Sequence, residues 1–201
     1  MLKILITGGG GDWAQSFKQS HQDTYDIHTP SRGELDVTSE PSVIAYFERQ
    51  TTPFDVVINN AGCIHPKRIL ESDSGAWVND INVNLIGSFY VSKAALQSNR
   101  KTKLIHISST AAYNAYADWS SYCASKAGVK TLALSLANDG FDSYCLCPGA
   151  IDTKFRDKFD IANNNVMSCA DLTIHVLDVI KGKYQRGDVL FIRSNEFTLN
   201  P

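Results

Sequence analysis

The sequence predicts an α/β protein: a doubly wound parallel sheet of about six strands, helices on both faces, in a single domain spanning 1–201. Three observations predict it. Short apolar runs alternate with helical periodicity from end to end, the pattern of a parallel sheet covered on both faces. The first run, Ile4-Leu5-Ile6, meets the glycines of Thr7-Gly8-Gly9-Gly10-Gly11 at once. Later strands end in small residues, Asn59-Asn60-Ala61-Gly62 and Cys147-Pro148-Gly149-Ala150, and the carboxyl ends of such strands are where open α/β sheets bind ligands.

In order, Leu2 to Ile6 forms the first strand. The spacing Gly8-x-x-Gly11-x-x-Ala14 lets backbone N–H groups approach a pyrophosphate at the start of the next helix. Asp12 is expected to cap that helix, leaving Trp13, Ala14 and Phe17 to face the sheet. Tyr25 to Thr29 is a second strand, followed by Pro30-Ser31-Arg32-Gly33 with no carboxylate from Ile27 to Gly33. Only a few residues then precede Leu35-Asp36-Val37, too few for the crossover that a helix-linked third strand needs. The sheet is therefore trimmed at the second-strand edge.

Thr38-Ser39 and a first-turn Pro41 start a helix presenting Val43, Ile44 and Phe47. Phe54 to Ile58 is a buried strand. A long helical region from about 75 to 97 carries Trp77, Ile81, Leu85, Phe89 and Ala95. Asn82 and Asn84 inside it are poor helix formers and point to a kink or a buried water. Leu104 to Ile107 is a strand ending at Ser108-Ser109, and Tyr122-Cys-Ala-Ser-Lys126 opens a helix that continues through Val129, Leu132, Ala133 and Leu136. Ser143 to Cys147 is another strand. Residues 154–167 read as a mobile flap, Ser168-x-x-Asp171 caps a helix through Ile180 that Gly182 stops, and Val189 to Ile192 closes the sheet as an edge strand.

Tyr122 and Lys126, four apart on a helix, share one face. An ammonium beside a phenol favours the phenolate, and a serine at the end of the adjacent strand can polarise a carbonyl oxygen while a proton moves. That is equipment for interconverting an alcohol and a ketone, lacking only a hydride carrier. The composition narrows the field further. Net charge is −2 with both signs interspersed, which gives nucleic acid no basic surface. No apolar run approaches a membrane span or a signal peptide. The five cysteines lack paired zinc spacing and the histidines are scattered, so no metal is expected and the expected location is cytoplasmic.

Together these residues resemble the short-chain dehydrogenase/reductase family over nearly the whole chain. The likeness is carried by Thr7-Gly8 with Gly11 and Ala14, Asp36-Val37-Thr38, Asn59-Asn60-Ala61-Gly62, Asn84, Ser109, Tyr122-x-Ala-Ser-Lys126, and Pro148-Gly149 with Thr153. It implies a Rossmann-like fold in which Tyr122 is the proton donor or acceptor. Lys126 lowers its pKa and holds the nicotinamide ribose, Ser109 steadies the substrate oxygen, and Asn84 holds a relay water. Thr7, Gly8, Gly11, Asp12 and Trp13 would surround the phosphates. Asp36 and Val37 would face the adenine, Asn60, Ala61 and Gly62 the cofactor ribose and phosphates, and Pro148, Gly149, Ile151 and Thr153 the nicotinamide end. Asp12 and Ala14 depart from the family's commonest glycine pattern. Ser31 and Arg32 suit a 2′-phosphate, so NADP(H) is expected over NAD(H).

Ile64, His65, Ala111, Tyr113, Trp119 and Ala150 are candidate substrate walls, and Lys67 and Arg68 candidate partners of an anionic group. In relatives the helices at about 76–97 and 121–137 pair across a twofold axis, which implies a homodimer or homotetramer. Three readings remain open: an NADP-dependent carbonyl reductase, a non-catalytic dinucleotide sensor or scaffold, and a nucleotide-sugar epimerase or dehydratase.

Overall fold

The computed structural model describes residues 1–158 and 164–201. One seven-stranded sheet in the order β2-β1-β3-β4-β5-β6-β7 runs through it. The strands are β1 (Lys3–Ile6), β2 (Asp26–His28), β3 (Val56–Asn59), β4 (Lys103–Ile107), β5 (Ser143–Pro148), β6 (Val189–Arg193) and β7 (Glu196–Leu199). The first six pair in parallel; β7 folds back antiparallel on β6 through Ser194-Asn195. The expectation that Val189 to Ile192 forms the edge is therefore corrected. β2 does form the opposite, trimmed edge, and the chain passes from it to α2 (Glu40–Glu48) without an intervening helix or strand.

Alternation along the strands divides the core. Ile4, Ile6, Val56, Ile58, Ile105 and Ile107 face α1 (Asp12–His21) and α6 (Cys169–Ile180), meeting Trp13, Phe17, Leu172 and Val176. Leu5, Val57 and Leu104 face the other way, onto α2 and α4 (Gly87–Ser98) with Val43, Phe47, Val91 and Ala95. Strands buried on both faces read as unbroken apolar runs for this reason. On α2, Tyr46 is buried where Ile44 was expected, and Ile44 is 41% exposed.

Caps follow the sequence at two of three places. Ser39 accepts from Ser42 N–H at the start of α2, and Ser168 with Asp171 forms a reciprocal capping box on α6. On α1 the capping position is Gly11, with no side-chain cap. Asp12 is instead the first helical residue, and its carboxylate accepts from Lys154 N–H at 2.7 Å. The long helical region is broken as the asparagines suggested. α3 (Ser74–Ile81) passes through a π-helical turn at Asn82–Ile86 into α4. Such bulges collect at functional sites. The flap expected over 154–167 falls partly on 159–163, outside the described residues; before them, Arg156–Lys158 makes a 3-10 turn.

Behind the β3–β4 ends lies a buried polar group with a measurable consequence. His106 has no exposure, and burial pulls its pKa from 6.5 to about 4. Between those values the unfolded chain binds a proton that the folded one does not, so stability falls as pH drops through this window. Urea unfolding at pH 7 and pH 4.5 should show about 2–3 kcal/mol lost through this residue. His106→Gln should flatten the pH dependence by that amount; equal slopes in both proteins would locate the acid sensitivity elsewhere.

Candidate active site

Above the carboxyl ends of β1, β3, β4 and β5 opens a cleft of about 970 Å³. One end is built by the glycine loop. Gly8 has φ +67°, and a Cβ there would stand 2.8 Å from Ala61 Cα; one on Gly9 would stand 2.4 Å from the Thr29 carbonyl carbon. Neither position tolerates a side chain, so the loop is drawn down between two strand ends and the α1 N-terminus is left facing the cleft. Thr7 fastens this arrangement from below. Its hydroxyl oxygen accepts from Asn60 N–H and Ala61 N–H, both at 3.0 Å, while Asn60 Nδ2 donates to Thr7 O at 2.9 Å.

At the other end, β4 and α5 (Ser120–Asn138) bring Ser109, Tyr122 and Lys126 together. The Ser109 hydroxyl hydrogen-bonds the Tyr122 phenol. Lys126 Nζ donates to Ile107 O at 2.9 Å and stands 5.5 Å from the Tyr122 ring centroid. Ser108, next to Ser109, ties β4 to α5 by donating to Lys126 O at 2.7 Å. Burial pushes the Tyr122 phenol up, and the Ser109 hydrogen bond opposes it. Burial also pulls the Lys126 ammonium down, to about 8.

Most of the expected site residues line this one cleft: Gly8, Gly11, Asp12, Trp13, Arg32, Asp36, Val37, Asn60, Ala61, Gly62, Ser109, Tyr122, Lys126, Pro148, Gly149, Ile151 and Thr153. Trp13 does so from the core, its indole N–H given to Thr173 at 3.1 Å. Thr7 and Asn84 stand behind the wall instead. Asn84 is buried in the π-helical turn; its Oδ1 accepts from Cys63 N–H, and its Nδ2 donates to Cys63 O and Ser125 Oγ. Arg32 and Ser31 are each engaged by a carboxylate, Arg32 Nε 3.4 Å from Asp36 Oδ2 and Ser31 Oγ 2.8 Å from Glu34 Oε2.

Among the expected walls, His65, Trp119 and Ala150 line the cleft. Ile64 and Ala111 pack beneath Tyr122, and Tyr113 lies against Phe191 on β6. Arg68 is 2.5 Å from Asp118. Sequence reasoning missed Tyr116, Phe155, Lys158 and the buried Asp80; the one available signal was Cys63-x-His65, whose alternation puts two side chains on one side of an extended loop.

The residues present fit a nicotinamide dinucleotide. A backbone cradle that a Cβ would fill sits at one end, and the 5%-exposed Lys126 ammonium, with one described hydrogen bond, can donate to ribose hydroxyls at the other. Among the described residues no helix is long and apolar enough to cross a membrane.

Comparison with known proteins agrees with this construction. Two relatives illustrate the sequence likeness. A 3-oxoacyl-acyl-carrier-protein reductase FabG of Buchnera aphidicola subsp. Baizongia pistaciae is 36% identical over 106 residues, 49% of this chain and 43% of that protein. An uncharacterized oxidoreductase of Staphylococcus aureus strain MRSA252 is 27% identical over 210 residues, 99% of this chain and 86% of that protein. The chain spans 43–46% of the length of three curated relatives that it matches. In three dimensions it superposes on a small-chain dehydrogenase in complex with NADPH with a TM-score of 0.85 at 17% identity, over 96% of this chain and 97% of the other. A gluconate 5-dehydrogenase from Burkholderia cenocepacia, in complex with NADP and tartrate, gives 0.80 at 18%, over 95% and 93%. At such identities these structures speak for the fold. The sequence model of the short chain dehydrogenase family matches residues 12–164, and the chain belongs to that family.

Proposed function

We propose that the chain is an NADP(H)-dependent oxidoreductase of the cytoplasm that interconverts a ketone or aldehyde and an alcohol, with Tyr122 as general acid and base. The observation that carries this is the convergence of Ser109, Tyr122 and Lys126 in the cleft that also holds the glycine loop. When bound, a reduced nicotinamide supplies hydride to the carbonyl carbon. Tyr122 gives its phenolic proton to the carbonyl oxygen, and the Ser109 hydroxyl holds that oxygen in place. The Lys126 ammonium stabilises the phenolate left behind, and oxidation runs the same proton back. Asn84 steadies the loop after β3, and a water held at its turn would return the proton from solvent. Incubating the protein with NADPH and a panel of ketones and aldehydes tests this. Net NADPH oxidation supports it. Turnover with recycled cofactor favours an epimerase, and binding without turnover favours a sensor.

The cofactor preference rests on Arg32. Its ion pair with Asp36 is exposed, and such pairs are worth about 0–1 kcal/mol. A charged hydrogen bond to a 2′-phosphate is worth about 1.5–3 kcal/mol, so re-aiming the guanidinium is favourable. Glu34 works against this from Ser31. Arg32→Ala should erase most of an about tenfold to hundredfold preference for NADP(H) and barely change NAD(H) affinity, whereas Glu34→Gln should raise NADP(H) affinity. Equal wild-type affinities for both nucleotides, by titration, would make Arg32 a turn residue only.

We also propose a homodimer or homotetramer, with no nucleic-acid or membrane partner. Val78 on α3 and Phe89 on α4 are 49% and 44% exposed, and a second copy would cover such apolar side chains. Sedimentation at micromolar concentration should give a dimer or tetramer, and Phe89→Glu should shift it toward monomer; a wild-type monomer would count against the proposal.

A further inference from the structure

Beside the catalytic groups, Asp80 on α3 holds a negative charge inside the protein. None of its side chain is exposed. Its Oδ2 accepts from the Ser121 hydroxyl at 2.6 Å and from His65 N–H at 3.0 Å. Its Oδ1 stands 2.7 Å from His65 Nδ1 and 3.2 Å from the Cys63 thiol. Burial pushes the carboxyl up, but hydrogen bonds from Ser121, His65 and Cys63 outweigh it and hold the group below its usual range. A buried charge is expensive unless paired. Among the described residues, its one ion-pair partner is His65.

His65 reaches from this buried carboxylate into the cleft that Tyr122 and Lys126 line, with 48% of its side chain exposed. With Nδ1–H given to Asp80, the ring is fixed in plane and Nε2 is the nitrogen left for a ligand. An Nε2–H donated into the cleft, opposite the carboxylate-bound Nδ1, fits an anion. The surroundings agree. Lys158 lines the same cleft, close enough to act electrostatically on Cys63. Among the described residues, the carboxylates lining the cleft are Asp12 on α1 and Asp36 beyond β2, both on the nucleotide side.

A metal ion is the other candidate, because Cys63, His65 and Asp80 offer ligand atoms within 4.8 Å of one another. Nitrogen and oxygen ligands at about 2.0–2.1 Å on tetrahedral zinc stand about 3.3 Å apart. The 2.7 Å between His65 Nδ1 and Asp80 is a hydrogen bond.

We propose that His65, aimed by Asp80, is a specificity residue that hydrogen-bonds an anionic oxygen group, carboxylate or phosphate, on the carbonyl substrate. Asp80 is its positioning residue. This rests on the carbonyl oxidoreductase reading. Two substrate pairs test it, with NADPH in excess: a 3-oxo acid against its methyl ester, and dihydroxyacetone phosphate against dihydroxyacetone. The pair showing the larger ratio of kcat/KM separates carboxylate from phosphate. In the wild type one ratio should favour the anion by about tenfold to a hundredfold. His65→Gln should bring it near one, chiefly through KM, and Lys101→Gln, on an exposed turn outside the cleft, should keep it. The same ratio in wild type and His65→Gln overturns the proposal.

Binding gives a readout without turnover. Malonate and inorganic phosphate titrated into the wild type should shift the imidazole nitrogen resonances of His65, with the effect lost in His65→Gln. If they do so while no carbonyl is reduced, the anion site stands and the oxidoreductase reading falls. If neither anion moves His65, the proposal is overturned. Stoichiometric zinc bound by the wild type and lost in both Cys63→Ser and His65→Gln would overturn it in favour of a metal site.

Discussion

Tyr122→Phe is expected to lower kcat by about 10²–10⁴-fold, the contribution of a positioned general acid or base, while cofactor affinity stays close to that of the wild type. The reason lies in what the substitution removes. The ring remains, so packing against Trp119 and Phe155 is kept. The hydroxyl goes, and with it the proton donor that Ser109 orients. Steady-state rates and nucleotide titration on the same preparation check both halves. A variant keeping half the wild-type turnover would remove Tyr122 from the chemistry.

Lys126→Met is expected to separate stability from activity. The ammonium is 5% exposed, and burial pulls it from 10.5 to about 8. At pH 7 the folded protein therefore carries a charge it would rather shed, and an apolar side chain of similar length relieves that cost. Unliganded Lys126→Met should gain roughly 1–3 kcal/mol, less whatever the bond to Ile107 O contributed. The sign of the pH dependence follows. Between about 8 and 10.5 the unfolded chain holds a proton that the folded one lacks, so this residue makes wild-type stability rise with pH there. The variant loses that slope. Turnover and cofactor affinity should both fall sharply, because no ammonium remains for the phenolate or the ribose. Thermal melts from pH 7 to 10 alongside kinetics test this, and a variant both less stable and fully active would contradict the role. Functional groups held at a cost to stability are a common result of selection for activity.

The helix caps on α2 and α6, the break at Asn82–Ile86, the trimmed edge at β2 and the convergence of Ser109 with Tyr122 and Lys126 were all legible in the sequence. Each is written in a period, a spacing or a cap, within one element or between neighbouring ones. The core division between Ile4 and Leu5 is equally local, since alternate residues of a strand must face opposite sides. What was not legible involves partners set by irregular turns or by segments distant along the chain. Asp12 reads as a cap, yet Lys154 N–H claims its carboxylate. Ser31 and Arg32 read as free phosphate donors, yet Glu34 and Asp36 curl back onto them across an irregular turn.

The sequence by itself determined the layered sheet, the glycine loop and the Tyr122–Lys126 face, because backbone sterics and side-chain period encode them within a few residues. The tertiary structure alone decided that Thr7 stitches β1 to β3, that Asn84 braces Cys63 and Ser125, and that a seventh strand closes the sheet. It alone brought Asp80 to His65 and Ser121, 15 and 41 residues away. A buried polar atom must find a partner, and which one lies within 3 Å is settled by how the helices pack on the sheet.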